Sequence, residues 1–320
     1  MPDTQTTYHS TQNSSCKNKG EAILGAMTLG KYLDPRNEIA FKNIFGSEKN
    51  KDLLIHFLND LALLSQGRQI KTVSFLPCVQ DAEIAVLKQS TVDILCLDDR
   101  EEQYIIEMQY APLDGFIERA QQYASMAYSG QTERGVISYK NIKKVIFIAI
   151  TNVVRFPEEK DYKSRHDMRH DKSLKNDLNE MTFYFVELSK FKKTKEELLT
   201  VEEKWLFLLK HATETTPKEA EKIAGDDPII HQAYEALNRF SWSKEKLLSY
   251  QQNEKRILDL QAAFDYQRLA GIAEGIEKRE AKEKMKIATE MLLDQESEAK
   301  IIKYTGLTAS EIAEIQKSPL

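Results

Sequence analysis

The chain has 320 residues, with 45 lysines and arginines against 50 aspartates and glutamates, for a formal net charge of −5. Its 41% hydrophobic and 30% charged residues suffice for one sizeable core with appendages, or for two modest domains. A strongly basic surface that neutralises phosphates everywhere is thereby excluded, so any contact with nucleic acid needs a local patch.

The three cysteines, Cys16, Cys78 and Cys96, are odd in number and lack CxxC spacing, which argues against a disulfide framework or a zinc knuckle. No apolar run reaches the length of a membrane span, and the first twenty residues lack the pattern of a signal peptide. The expected compartment is the cytoplasm.

Residues 1–30 are rich in Ser, Thr, Asn and Gln and are expected to be a disordered tail. "DPRNEIAFKNIFG" predicts a helix capped by Asp34, with Pro35 in its first turn and Gly46 at its end. "KNKDLLIHFLNDLALL" predicts a second, amphipathic helix. A strand is expected around Ile70 to Val79, then the two apolar runs "TVDILCL" and "QYIIEMQ". The spacing of Phe116, Ala120, Tyr123, Ala124 and Ala127 predicts a helix to about Arg134. "KVIFIAIT" reads as a strand buried on both faces. The polar stretch from Glu158 to Glu180 reads as a solvated loop, and "MTFYFVEL" as a further strand. Beyond Lys190 the pattern is helical and charged; Gln251 to Lys286 is expected to be a long exposed helix, a linker or an oligomerisation arm. The order helix, three strands, helix, strand implies an α/β core with a mixed sheet.

If "TVDILCL" and "QYIIEMQ" pair as a hairpin about Arg100, Asp93 lies opposite Glu107, Thr91 opposite Gln109, and Leu95 opposite Ile105. Alternation then puts Asp93, Glu107 and Gln109 on one face, and Val92, Ile94, Cys96, Tyr104, Ile106 and Met108 on the core face. Two carboxylates roughly 5 Å apart at Cβ repel. Either one takes up a proton or a cation lies between them, and an all-oxygen donor set suits magnesium. Two acids facing solvent on an uncovered sheet face is the other reading of the same pattern.

The pieces "YLDPRNEIAFKNIFG", "VDILCLDDREEQYIIEMQ", "FIERAQQYASMAYSGQ", "GVISYKNIKKVIFIAIT" and "FVELSKF", in that order, resemble the PD-(D/E)XK nuclease family transposases, the Rpn-type recombination-promoting nucleases. The resemblance spans about Tyr32 to Phe191, and the C-terminal "KIATEMLLDQESEAKIIKYTGLTASEIAEI" is also similar to the tail of these proteins. It implies a restriction-endonuclease-like core carrying an α-helical C-terminal extension, and a metal-dependent endonuclease acting on DNA, linked to recombination or a mobile element. Asp93 matches the acid of the PD element, with Val92 in place of the proline. Glu107 matches the first acid of the (D/E)XK element, and Gln109 stands where lysine is usual, although E-x-Q is the common form in the narrower family. The implied metal, Mg²⁺ or Mn²⁺, is held by Asp93, Glu107 and the main-chain carbonyl of Met108, with Glu38 as an additional contact. Gln109 would orient the attacking water.

Lys42, Arg119, Gln122 and Tyr123 are candidates for holding DNA phosphate, Arg119 as a bidentate donor. Glu38 and Lys42 equally fit a surface ion pair at i,i+4, and Arg119 a cation lying beside a packed Tyr123. "RHDMRHD" puts His166 and His170 four apart without a third ligand, so a solvated loop is expected there. Lys140, Lys143, Lys144, Lys163, Arg165, Arg169, Lys172, Lys192, Lys193 and Lys195 can supply the basic patch that DNA requires, or a dispersed solvated surface. "YTGLTASEIAEI" contains a helix stop at Gly306 and a capping box of Thr308 with Glu311.

The expected organisation is a tail over 1–30, a nuclease-like domain over 31–190, a helical extension over 191–250, a charged helical linker over 251–296 and a helical hairpin over 297–320. The expected partners are DNA and a second copy of the chain in a homo-oligomer, with no membrane. A catalytically inactive DNA-binding or oligomeric scaffold with the same fold is the alternative to the enzyme.

Overall fold

The computed structural model describes residues 30–61, 68–80, 90–132 and 139–317. The expected N-terminal tail lies outside these residues except for Gly30. The chain divides into two units, residues 1–254 and 255–320.

In the first unit, α1 spans Glu38–Phe45 and α2 spans Lys51–Asp60. Asn37, not the expected Asp34, caps α1: it is extended (φ −69°, ψ 130°), and its side chain accepts from the Ile39 N–H at 2.9 Å. Asp34 instead accepts from the Arg36 N–H at 2.9 Å in the turn that contains Pro35, so the helix begins three residues later than proline placement predicts. Gly46 ends it as expected.

Six strands form a mixed sheet in the order β1 (Val73–Phe75), β4 (Ile94–Asp98), β5 (Gln103–Gln109), β6 (Val145–Thr151), β8 (Met181–Glu187) and β7 (Lys163–Asp167). The short strands β2 (Val79–Gln80) and β3 (Ser90–Thr91) pair separately. The single strand expected over Ile70 to Val79 is thus split between two sheets. β4 and β5 are antiparallel with Leu95 opposite Ile105 and Ile94 opposite Ile106, the register inferred from symmetry. The ladder stops there, and Thr91, expected opposite Gln109, pairs instead with Val79. β5, β6 and β8 run parallel, joined between β5 and β6 by α3 (Phe116–Ser129). Parallel neighbours need such a crossover. Gly115, at φ 69°, makes the left-handed turn into α3 that an L side chain would strain.

The stretch expected to be a loop contributes an edge strand: β7 pairs antiparallel to β8, Ser164 opposite Phe185 and His166 opposite Phe183. Its charged alternation is compatible with a strand because only one side of an edge strand is covered.

Each face of the sheet has its own core. One holds Ile94, Cys96, Tyr104, Ile106 and Met108 against α1, α2 and the helices α4 (Val201–His211), α5 (Pro217–Ala224) and α6 (Pro228–Ala236). Phe45 and Phe57 lie 4.6 Å apart, Trp205 packs against both, and its indole donates to Asp60 at 2.9 Å. The other face carries Leu95, Ile105, Phe147, Ala149 and Phe185 under α3, whose buried Ala120, Ala124 and Ala127 allow it to lie close. Val92 belongs to this second core, not to the Ile94 face expected for it. The chain bends at Asp93, and a bend between Val92 and Ile94 breaks the strict alternation of a strand.

A fifty-residue helix, α7 (Lys244–Leu293), begins in the first unit and runs into the second. Its first turns close the core: Tyr250 is buried, its hydroxyl accepts from the Asp34 N–H at 3.0 Å, and its carbonyl accepts from Asn37 at 3.2 Å. In the second unit, α7 packs with α8 (Glu298–Thr305) and α9 (Ala309–Lys317) around Ala288, Ile301, Leu307 and Ile312. Gly306 ends α8 at φ 72°, and the Thr308 N–H donates to Glu311 at 2.7 Å in the expected capping box. Among the described residues no helix is long and apolar enough to cross a membrane.

Candidate active site

The bend at Asp93 determines how the two acids meet. In β5 the odd residues point their main-chain groups toward β6, as the Gln103 N–H does in donating to the Lys144 carbonyl at 2.8 Å. The even residues face β4. Beyond Ile106, where β4 has bent away, the Met108 N–H donates to Oδ2 of Asp93 at 2.9 Å. In return, the Asp93 N–H donates to Oε1 of Glu107 at 3.0 Å. Each carboxylate therefore takes the place of a missing ladder partner on the opposing strand. Because N–H and C=O of one strand residue point to the same edge, the Met108 carbonyl also faces Asp93.

Both acids are poorly solvated: Glu107 is 6% exposed and the Asp93 side chain 11%. Burial, then the negative charge of Asp93, pushes the Glu107 carboxyl up to about 8, against relief from the Asp93 N–H, Arg119 and Lys42. Burial also raises Asp93, opposed by the Met108 N–H and Lys42.

α1 brings the first cation. Lys42 Nζ lies 2.8 Å from Glu38 and 3.5 Å from Oδ1 of Asp93, so the i,i+4 pair expected at the surface reaches into the site. Burial lowers the Lys42 pKa, but its bond to Glu38 and the charge of Asp93 leave it raised and the side chain charged. Glu38 also accepts from Asn253 of α7 at 3.5 Å.

α3 brings the second. Arg119 donates to Oε1 of Gln109 at 2.8 Å, while Gln109 Nε2 donates to the Ala111 carbonyl at 2.7 Å, so this amide is fixed at both ends. The Arg119 guanidinium lies over Phe116 and Tyr123, at 5.2 and 5.7 Å from the ring centres. Burial raises the Tyr123 hydroxyl against the opposing charge of Arg119, with smaller contributions from Glu107 and Asp93. Gln122 is exposed on the same helix.

Two cations at this end of the sheet escaped the sequence reading. Arg36 pairs with Asp34 at 2.8 Å, donates to Asn152 at 3.3 Å and lies over Tyr110. Arg155 lies over the Phe116 ring at 5.1 Å and donates to the Leu113 carbonyl at 3.1 Å, with its Nε and Nη2 buried and unbonded. Burial and the nearby Arg119 lower its pKa. The only sequence signal for either was its place in the chain, just before α1 or just after β6.

Of the two readings of the basic residues, patch or dispersed surface, six of them fit the second, each paired with an acid. Lys163 lies 2.8 Å from Glu202, Arg165 and Arg169 lie 3.0 and 2.7 Å from Asp167, Lys143 lies 3.2 Å from Glu101 and Lys193 lies 2.5 Å from Glu203, while Lys195 pairs with Glu219. His166 points onto the sheet against Phe156, 4.5 Å between ring centres, while His170 is exposed. They form no metal site: among the described residues, no three or more His, Cys, Asp or Glu side chains converge. Glu38 is likewise held by Lys42 and does not complete a three-acid cluster.

Asp93 and Glu107 are nonetheless two poorly solvated, mutually repelling acids that, with the Met108 carbonyl, could supply an all-oxygen donor set. That chemistry fits a hard divalent cation that keeps several of its waters.

No curated protein and no solved structure has significant similarity to the chain. The family model described as PD-(D/E)XK nuclease family transposase matches residues 35–267, from the turn before α1 into the middle of α7. Nucleases of this superfamily act on nucleic acid and generally use divalent metal ions. With its mixed sheet, crossover helix and E-x-Q on β5 inside that match, the chain belongs to the PD-(D/E)XK nuclease family transposases.

Proposed function

We propose that the chain is a DNA endonuclease that uses Mg²⁺ or Mn²⁺ to hydrolyse phosphodiester bonds, in recombination or the activity of a mobile element, in the cytoplasm. The observation that carries the reading is the pair of cross-strand bonds in which Glu107 accepts from the Asp93 N–H and Asp93 from the N–H of Met108. It holds two carboxylates rigidly in a poorly solvated place where their charges repel, an arrangement that costs stability unless a proton or a cation occupies it.

Asp93, Glu107 and the Met108 carbonyl would hold the ion, with Glu38 in reach of the site through Lys42. A divalent cation there supplies positive charge to the scissile phosphate and acidifies water. The chain's own groups do the remaining work. Gln109 has one lone pair and one amide N–H beyond its bonds to Arg119 and Ala111, and with these it orients the attacking water. Arg119 and Lys42 balance the charge of the acids and attract phosphate, and Gln122 and Tyr123 line the approach on α3.

Supercoiled plasmid incubated with Mg²⁺ or with EDTA tests the reading. Wild type should nick or linearise it only with metal, and Asp93→Ala should abolish cleavage. Equal cleavage by wild type and Asp93→Ala overturns it.

A catalytically inactive DNA-binding or oligomeric scaffold is the second reading, favoured by one observation: the Lys42 ammonium already lies 3.5 Å from Asp93 as a built-in counter-ion. DNA binding without metal-dependent cleavage would select it.

A further inference from the structure

On the α3 face of the sheet, over β7 and β8, lies a cavity of about 260 Å³ lined by Ile117, Phe156, His166, Met181, Phe183 and Phe185, among others. We propose that this cavity is a nucleobase subsite, which takes one unpaired base from the DNA strand held at the acid pair. The proposal rests on the nuclease reading above.

Position is the first argument. Glu107 pairs with Ala149, and Ala149 with Phe185, so the three lie in one row across parallel strands. Two strand spacings of about 4.8 Å put the Phe185 position roughly 10 Å from the Glu107 position, on the same face. From Phe185 the lining runs back along β8 to Phe183 and Met181, in the rows of Ile105 and Gln103, and across to His166 of β7.

Lining chemistry is the second. Phe156 lies 5.0 Å from Phe185 at 81°, and His166 lies 5.4 Å from Phe185 at 87°, so flat ring faces and edges bound the space. Aromatic walls bind every base through its π-face. His166, tied by one ring nitrogen to Ser164 at 3.0 Å, and Gln121 on α3 can meet the polar edge of a heterocycle. The volume is below the roughly 300–1,000 Å³ of pockets for drug-sized ligands, so it suits a single ring system and not a base pair.

Charge is the third. Arg119 bonds Gln109 of β5 and, with Arg155, lies over the Phe116 ring, which packs edge-on at 6.4 Å against Phe185 of the cavity wall. A strand running from the acid pair to the cavity passes the half-buried Arg119 guanidinium. Asp167, the acidic residue of the lining, is neutralised by Arg165 and Arg169 and does not oppose it.

The test compares the full chain's affinity for a short single-stranded oligonucleotide and for the same strand with abasic sites, in EDTA so that the strand stays intact. Stacking of one base in the cavity should make the normal strand bind about five- to 150-fold tighter than the abasic one. Phe183→Ala should remove that preference and leave abasic affinity unchanged. Ile117→Trp, which fills the cavity from its exposed rim, should do the same without disturbing the core. A preference that survives in folded Ile117→Trp, or no preference in wild type, overturns the subsite and leaves the nuclease reading standing. Wild type that binds neither strand and fails to nick plasmid overturns both.

Discussion

Asp93 and Glu107 face each other across a break in the hairpin, each carboxylate accepting from a main-chain N–H of the other strand at 2.9–3.0 Å. This lock makes the site sensitive to pH. The Glu107 carboxyl is pushed up to about 8 in the folded protein, against an ordinary value near 4.5. Between those values the folded protein keeps a proton that the unfolded chain has released. Stability therefore falls as pH climbs through this window and levels off above it. Glu107→Gln keeps the acceptor for the Asp93 N–H and has no charge to bury. It should melt close to wild type at pH 4.5, and several degrees higher at pH 9, in thermal unfolding followed by circular dichroism. Melting curves offset equally at both pH values would show that the acid is not held protonated.

A divalent cation bound as proposed would compete with that proton. Mg²⁺ or Mn²⁺ added to about 100 times its dissociation constant should stabilise the fold by about 2.7 kcal/mol, which for a unit of this size raises Tm by roughly 5–10 °C. The shift should be largest at pH 8–9, smaller near pH 5, and lost in Asp93→Asn. This readout needs no DNA and no turnover. A shift of equal size in Asp93→Asn would place the ion elsewhere.

Much of this architecture was legible in the residues. "VIFIAIT" and "MTFYFVE" are too continuously apolar to be anything but central strands, and the symmetry of the hairpin set Leu95 against Ile105 as observed. The bend at Asp93 was not legible. It depends on main-chain bonds to two side chains, which no periodicity records, and it moved Val92 to the opposite core. β7 was missed because an edge strand needs apolar residues on one side at most, and its Ser164 and His166 look like loop chemistry. Arg155 went unnoticed because its neighbours, Leu113, Phe116 and Arg119, are about 40 residues away in sequence.

Burial raises the Asp93 carboxyl, and the Met108 N–H and the Lys42 ammonium, 3.5 Å away, oppose that rise. Lys42→Met should therefore raise Asp93 further and move the acidic limb of the pH–activity profile for plasmid nicking to higher pH, by about one unit where about 1.4 kcal/mol of interaction is lost. Arg119→Ala should act differently: it frees Oε1 of Gln109 and should cut the rate about 10- to 100-fold without moving that limb. An unshifted limb in Lys42→Met would mean that the lysine serves Glu38 alone.

The start of α7 belongs to the nuclease-family region physically as well as by the family match, which runs to residue 267. Tyr250 is 4% exposed, packs edge-on to Trp242 at 6.2 Å and receives the Asp34 N–H ahead of α1, the helix that carries Lys42. Tyr250→Phe keeps the ring and leaves that N–H without its acceptor, so about 1 kcal/mol should be lost. Tyr250→Ala also opens a cavity under α1 and should cost about 3–5 kcal/mol, as for other large aromatic truncations. Urea unfolding distinguishes the two by their midpoints. Tyr250→Ala with a midpoint equal to that of Tyr250→Phe would show that the ring adds nothing to the packing, and that only its hydroxyl ties α7 to the site helix.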